Sequence, residues 1–131
     1  MRLLLDTHIA LWAIVGDMRL SSKALALIED PDNEIVVSAA TLWEIAIKRS
    51  LARGRPNDMP IDAVAAFGFF QRAGYRLLGI APEHAVAVES LPKLHSDPFD
   101  RILVAQALVE PMRLLTHDSA VVRYSSSFIE I

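Results

Sequence analysis

Cysteine is missing from this sequence, which removes disulfide frameworks, thiolate metal sites and cysteine nucleophiles together. Long apolar runs are missing too. The opening Met1-Arg2-Leu3-Leu4-Leu5 is cut off by Asp6 before a signal-peptide core can form, and Ile9 to Val15 is too short to span a bilayer. There is no basic excess, since 13 Lys and Arg face 16 Asp and Glu. A strongly basic nucleic-acid coat and a polybasic membrane patch are therefore ruled out, while a local basic groove is still compatible with the balance. Repeats and linkers are also lacking. What remains is 131 residues, 53% hydrophobic and 22% charged, enough apolar material for one core. We expect a single domain over residues 1–131 and a cytoplasmic location.

The pattern alternates short apolar strands with helices. Leu3 to Leu5 reads as a strand ending at Asp6, followed by a helix stopped at Gly16. Ser21-Ser22 opens a short helix ending before Pro31, and Glu34 to Ala39 is a second strand. Thr41 is the expected cap of a helix reaching about Arg53, and Pro60 and Asp62 open another ending near Gly74, which together suggest a helical hairpin. Tyr75 to Ile80, Arg113 to Thr116 and Phe128 to Ile131 supply further strands. Helices are expected over Pro82–Leu91, from Asp97-Pro98 to Val109, and from Asp118 to Tyr124. Such alternation predicts an α/β fold with a mainly parallel sheet of about five strands covered on both faces.

Four acids stand out by position. Asp6 and Asp118 each close a strand, and Asp100 lies in the first turn of an apolar helix, so all three face the sheet's carboxyl end, where ligands of such sheets bind. Each could be a helix cap or first-turn charge, as Asp97 also could. Glu44 borders the apolar stripe of Ala40, Ile47 and Leu51, with Lys48 one turn on as an ion-pair partner. Caps and pairs do not explain why acids from four distant segments converge on one edge. A hard divalent cation, Mg²⁺ or Mn²⁺, does, because it takes carboxylate oxygens and retains water.

The segments Leu4-Leu5-Asp6-Thr7-His8 with Leu11-Trp12, Trp43-Glu44-Ile45-Ala46-Ile47-Lys48, Asp97-Pro98-Phe99-Asp100-Arg101 running into Ala105-Gln106-Ala107, and Leu115-Thr116-His117-Asp118 occur in this order over nearly the whole chain. The set resembles the PIN-domain family, most closely the VapC-like toxins of toxin–antitoxin pairs. The resemblance implies a three-layer α/β/α sandwich and a Mg²⁺- or Mn²⁺-dependent endoribonuclease leaving 5′-phosphate and 3′-hydroxyl ends. It also implies a homodimer neutralised by a VapB-like antitoxin, with Asp6, Glu44, Asp100 and Asp118 as catalytic and metal-binding acids. Asp97 and Asp100 both fit the third position. Asp100 is preferred because it directly precedes the apolar helix carrying Ala-Gln-Ala, leaving Asp97 as the cap. Thr116 is a supporting residue that could orient a ligand carboxylate.

Lys48, Arg49, Arg53 and Arg55 follow Glu44 and are candidates for tracking an RNA backbone, with Arg101 on the opposite wall and His8 at the rim. A solvated helix face is the plainer reading of the same cluster. His8, His95 and His117 each neighbour an acid, so a mixed histidine and carboxylate zinc site competes, weakened by the lack of paired-histidine spacing on one helix. His84 and His95 carry no separate signal. Phe67, Phe69 and Phe70 could add apolar surface to the hairpin, while Trp12 and Trp43 are expected mainly in the core. Two other functions compete: a catalytically inert PIN-like binding module, and a phosphorylation-controlled receiver domain. The latter is disfavoured because no Lys follows Asp118.

Overall fold

The strand β1 (Arg2–Leu5) is apolar at three successive positions because it lies in mid-sheet, with partners on both edges and helices over both faces. In the computed structural model, which describes residues 1–131, β1 pairs in parallel with β2 (Glu34–Ser38) and with β4 (Arg113–Thr116). The edges are β3 (Arg76–Leu78) and β5 (Ile129–Glu130), giving the order β3-β2-β1-β4-β5. The strand order reverses at β1, so the crevice beyond the carboxyl ends of β1 and β4 is the topological switch point. A receiver domain has the order 2-1-3-4-5, and this sheet does not.

The period-two alternation of the strands makes two cores. Leu4, Val36 and Leu114 point to one face and meet Leu103, Val104 and Ala107 of α6 (Pro98–Val109). Leu3, Leu5, Val37 and Leu115 point to the other. There they meet Ile9 of α1 (Thr7–Val15), Ile45 of α3 (Ala39–Ser50) and Phe70 of α4 (Ala63–Arg72). The remaining helices are α2 (Ser22–Glu29), α5 (Pro82–Ala87) and α7 (Ser119–Val122). Leu4 is fully buried, so Leu4→Ala should cost about 2–5 kcal/mol through lost transfer and a residual cavity. The arrangement is the expected α/β/α sandwich.

Local punctuation follows the chemistry of single residues. Gly16 ends α1 in the left-handed region at φ 68°, where a side chain would be strained. Strand β3 is shorter than expected because its only partner, β2, ends at Ser38 opposite Leu78. Helix α3 begins before Thr41: the Ser38 hydroxyl accepts the Ala40 N–H at 3.0 Å and caps the helix, leaving Thr41 fully buried one turn inside. The stripe expected beside Glu44 is only half buried. Ala40 is inside, whereas Ile47 and Leu51 face solvent, and Trp43, expected in the core, is 57% exposed with its ring edge against Phe99 at 5.1 Å. Trp12 packs partly against the core. Of the three hairpin phenylalanines, Phe67 and Phe69 are exposed and Phe70 is fully buried.

Candidate active site and metal centre

Asp6 sits one residue beyond β1, with its N–H on the Leu115 carbonyl at 3.0 Å, and it is 4% exposed. Its Oδ1 accepts the His8 N–H at 2.9 Å, which makes it the cap of α1. Its Oδ2 accepts the Thr116 hydroxyl at 2.5 Å. Thr116, at the end of β4, in turn accepts the Asp118 N–H at 3.0 Å. One buried hydroxyl thus ties together acids from opposite ends of the chain. Asp118 caps α7 by accepting the Ala120 N–H at 2.8 Å.

Helix α3 brings Glu44 in from the side. Its carboxylate is nearly buried, with Oε1 accepting the Thr7 hydroxyl at 2.7 Å and Oε2 paired with Lys48 Nζ at 2.5 Å. Thr7 and Thr41 are themselves linked, oxygen to oxygen, at 3.1 Å. The expected Glu44–Lys48 pair is therefore present, and it coexists with a place in the site. Burial alone would lower the Lys48 pKa, but the Glu44 hydrogen bond and charge outweigh it and raise the value.

Asp97 is the α6 cap, accepting the N–H of Phe99 at 2.8 Å and of Asp100 at 3.3 Å. Asp100, one turn in, faces the other acids. Burial first, then the charges of Asp6 and Asp97, pushes its carboxyl from 3.8 up to about 7. Asp118 moves the other way. Burial would raise it, yet the His95 hydrogen bond, the Ala120 amide and the His95 charge hold it below the ordinary value.

All four predicted acids, with Asp97, line one polar cavity of about 110 Å³. A larger groove of about 590 Å³ shares Thr7, His8, Glu44 and Lys48 with it and runs on past Trp12 to Met59. The cavity's donors fit a hard divalent cation: they are mainly carboxylate oxygens, and Asp100 is driven towards the neutral form by anions with too little positive charge among them. Asp6, Glu44, Asp100 and Asp118 would hold such an ion.

His95, which the sequence did not single out, belongs to this centre. Its Nε2 lies 2.9 Å from Asp118 Oδ2 and 3.2 Å from Asp100 Oδ2. Its Nδ1 accepts the Asp97 N–H at 3.0 Å, so in the neutral ring the proton resides on Nε2 and points at the two carboxylates. His95 thus orients the two carboxylates, and its ring nitrogen lies with one oxygen of each in a group spanning no more than 4.8 Å. His84 lies elsewhere, buried between the Ala81 N–H and the Glu110 carboxylate.

The basic residues divide. Lys48 reaches the cavity, and Arg53 and Arg55 are exposed beyond the helix. Arg49 donates to the Met59 carbonyl at 2.9 Å. Arg101, expected to face RNA, is instead a clamp. Its guanidinium donates to the carbonyls of Val88, Pro92 and His95 and to the Tyr124 hydroxyl, fixing the loop that carries His95.

Residues 3–126 match the PIN domain family. Over 118 residues, 88% of this chain and 85% of the relative, the sequence is 33% identical to Ribonuclease VapC22 of Mycobacterium tuberculosis. Among solved structures, VapBC2 from Rickettsia felis bound to a DNA fragment from their promoter superposes with a TM-score of 0.71 at 18% identity, covering 100% of this chain and 98% of that one. VapBC-1 from nontypeable Haemophilus influenzae gives 0.68 at 15% identity, covering 100% and 97%. No helix is long and apolar enough to cross a membrane. With an acidic cavity at the sheet's switch point and a sequence match over nearly its whole length, the chain belongs to the PIN-domain family, in its VapC-like branch.

Proposed function

We propose that the chain is a divalent-metal-dependent endoribonuclease, the toxin of a toxin–antitoxin pair, acting as a homodimer of one-domain subunits and neutralised by a VapB-like antitoxin. The carrying observation is that Asp6, Glu44, Asp100 and Asp118, from four separate segments, line one cavity beyond β1 and β4. Mg²⁺ or Mn²⁺ held by these acids would supply charge neutralisation at a phosphodiester and a lowered pKa for attacking water. Asp6 and Asp100 would be the principal ligands, with Asp118 completing the set and Glu44 acting directly or through water.

The chain's own groups do the rest. Lys48 Nζ, with one N–H on Glu44, keeps others for a phosphate oxygen at the rim. Glu44, braced by Thr7 and Lys48, is placed to accept the proton of an attacking water. Thr116 and His95 fix the carboxylates of Asp6 and Asp118 without touching substrate. Lys48, Arg53 and Arg55 offer positive charge to an RNA backbone beyond the cavity.

The test is cleavage of total cellular RNA with end mapping, in Mg²⁺, in Mn²⁺ and after chelation. Asp6→Asn should leave the far-ultraviolet circular dichroism intact and cut cleavage by about 10³-fold, equivalent to about 4 kcal/mol of barrier. Cleavage that survives both chelation and Asp6→Asn would overturn the metal-dependent assignment, whereas no cleavage by the parent protein in either ion would place the chain among inert binding modules.

A further inference from the structure

Two side chains that line the acidic cavity have no place in the mechanism above, the imidazoles of His8 and His117. His8 stands on the first turn of α1, and His117 follows Thr116 at the end of β4. Their meeting is a product of register. Leu5 pairs with Leu115, so the residues just beyond these strand ends fall side by side. No pattern along a single helix would reveal it, which is why histidine spacing argued against such a site. One donor atom from each of Asp6, His8 and His117 lies within 4.8 Å of the others. Both histidines are exposed, and neither ring makes a hydrogen bond to the protein.

We propose that Asp6, His8 and His117 form a second cation site, on the histidine-lined wall of the acidic cavity and sharing Asp6 with the carboxylate set, that takes a borderline transition ion such as Co²⁺ or Zn²⁺ in preference to Mg²⁺. Two imidazoles and one carboxylate supply mixed nitrogen and oxygen donors, which favour these ions, whereas Mg²⁺ prefers oxygen. Asp6 already has both oxygens oriented, by the His8 N–H and the Thr116 hydroxyl, as a metal-bound carboxylate requires. The imidazoles are steadied by Trp12, whose ring lies 5.9 Å from that of His8 and 4.9 Å from that of His117. The other imidazole near an acid, His95, already has both nitrogens hydrogen-bonded, unlike those of His8 and His117. For cleavage the consequence is that transition ions bind to a location Mg²⁺ leaves free. That consequence rests on the ribonuclease reading, while the site itself does not.

Trp12 makes the site observable without RNA. In a Trp43→Phe background, Trp12 is the one remaining tryptophan. Untagged protein is held in excess Mg²⁺ and titrated with Co²⁺, whose open d shell quenches nearby indole emission, and Zn²⁺ is then added as a non-quenching competitor. We expect saturable quenching with one equivalent of Co²⁺, reversal by Zn²⁺, and affinity weakened by about 10- to 100-fold in both His117→Gln and His8→Gln. His95→Gln, probing the other histidine near the acids, should retain the quenching. Equilibrium dialysis of Zn²⁺ against the same proteins should show one equivalent lost in the His8 and His117 variants. Quenching or zinc content unchanged in a folded His8→Gln/His117→Gln double variant overturns the proposal. So does Co²⁺ binding that is displaced by Mg²⁺ alone. Absence of ribonuclease activity with the quenching intact would sink the enzymatic reading and leave the cation site standing.

Discussion

Thr116 Oγ1 donates to Asp6 Oδ2 at 2.5 Å, a buried contact between residues 110 positions apart that aligns a carboxylate at the centre of the site. Replacing Thr116 with Val keeps the shape and removes the hydroxyl, leaving Asp6 Oδ2 and the Asp118 N–H each without this partner. The expected cost is about 1–3 kcal/mol of stability and about 10- to 100-fold in Mn²⁺ affinity, with Thr116→Ser restoring most of both. Isothermal titration with Mn²⁺ and thermal melts decide it. A Val variant binding Mn²⁺ like the parent would show that Asp6 is held by the backbone alone.

Asp100 carries the next prediction. Its folded-state pKa of about 7 lies above the ordinary 3.8, so between these values the folded, ion-free protein binds more protons than the unfolded chain. Stability is then fully present below about pH 4 as far as this group is concerned, and is lost as pH rises through 7. Chelated protein should melt at a lower temperature at pH 8 than at pH 6. Asp100→Asn should flatten that slope, and Mn²⁺ should abolish it by compensating the charge. A melting temperature that climbs from pH 6 to 8 in both proteins would contradict the assignment of burial and clustered charge to Asp100.

His95 should matter to Asp118 in the opposite sense. The Asp118 carboxyl is held below its ordinary value partly by the His95 hydrogen bond, so its contribution to stability is present above the unfolded value and lost as pH falls through the depressed one. His95→Ala removes that contribution and should move acid unfolding to higher pH. It should also weaken Mn²⁺ binding by about tenfold or more, because two carboxylates lose their orienting donor. An unchanged Mn²⁺ affinity would reduce His95 to loop packing.

The parts of this site legible in the sequence are those fixed by local rules. Asp6, Asp97 and Asp118 sit at strand ends and caps, and their segments carry apolar periods that survive folding. Glu44 was visible because an acid beside buried positions needs a partner, and Lys48 stands one turn away. What escaped depends on how distant segments lie on one another. His95 gains its role from a loop that Arg101 and Tyr124 hold in place, and Arg101 is consumed as a clamp rather than offered to RNA. Threonine's capping habit makes Thr41 the expected cap, but Ser38 starts the helix earlier and turns Thr41 into the prop of Thr7. Size alone predicts Trp43 in the core, yet its face of α3 is open to solvent and its ring packs on Phe99.

Lys48 separates a structural from a substrate role in a single salt titration. Nearly half of its side chain is exposed, and its partner Glu44 is almost buried, so removing it leaves the carboxylate supported by Thr7 alone. Because the pair opens to solvent, the stability loss should be modest, about 1 kcal/mol or less. If the same ammonium also meets a phosphate, binding of a single-stranded RNA to cleavage-deficient Asp6→Asn protein should weaken in Lys48→Gln. The slope of log K against log salt should also fall in magnitude by about 0.7, the value for one phosphate contact on a single strand. Arg53→Gln, beyond the helix, should lower the slope by a similar amount, and Arg101→Gln should not, because its guanidinium is occupied by carbonyls. Equal slopes for the Lys48 variant and the parent would confine Lys48 to its pair with Glu44.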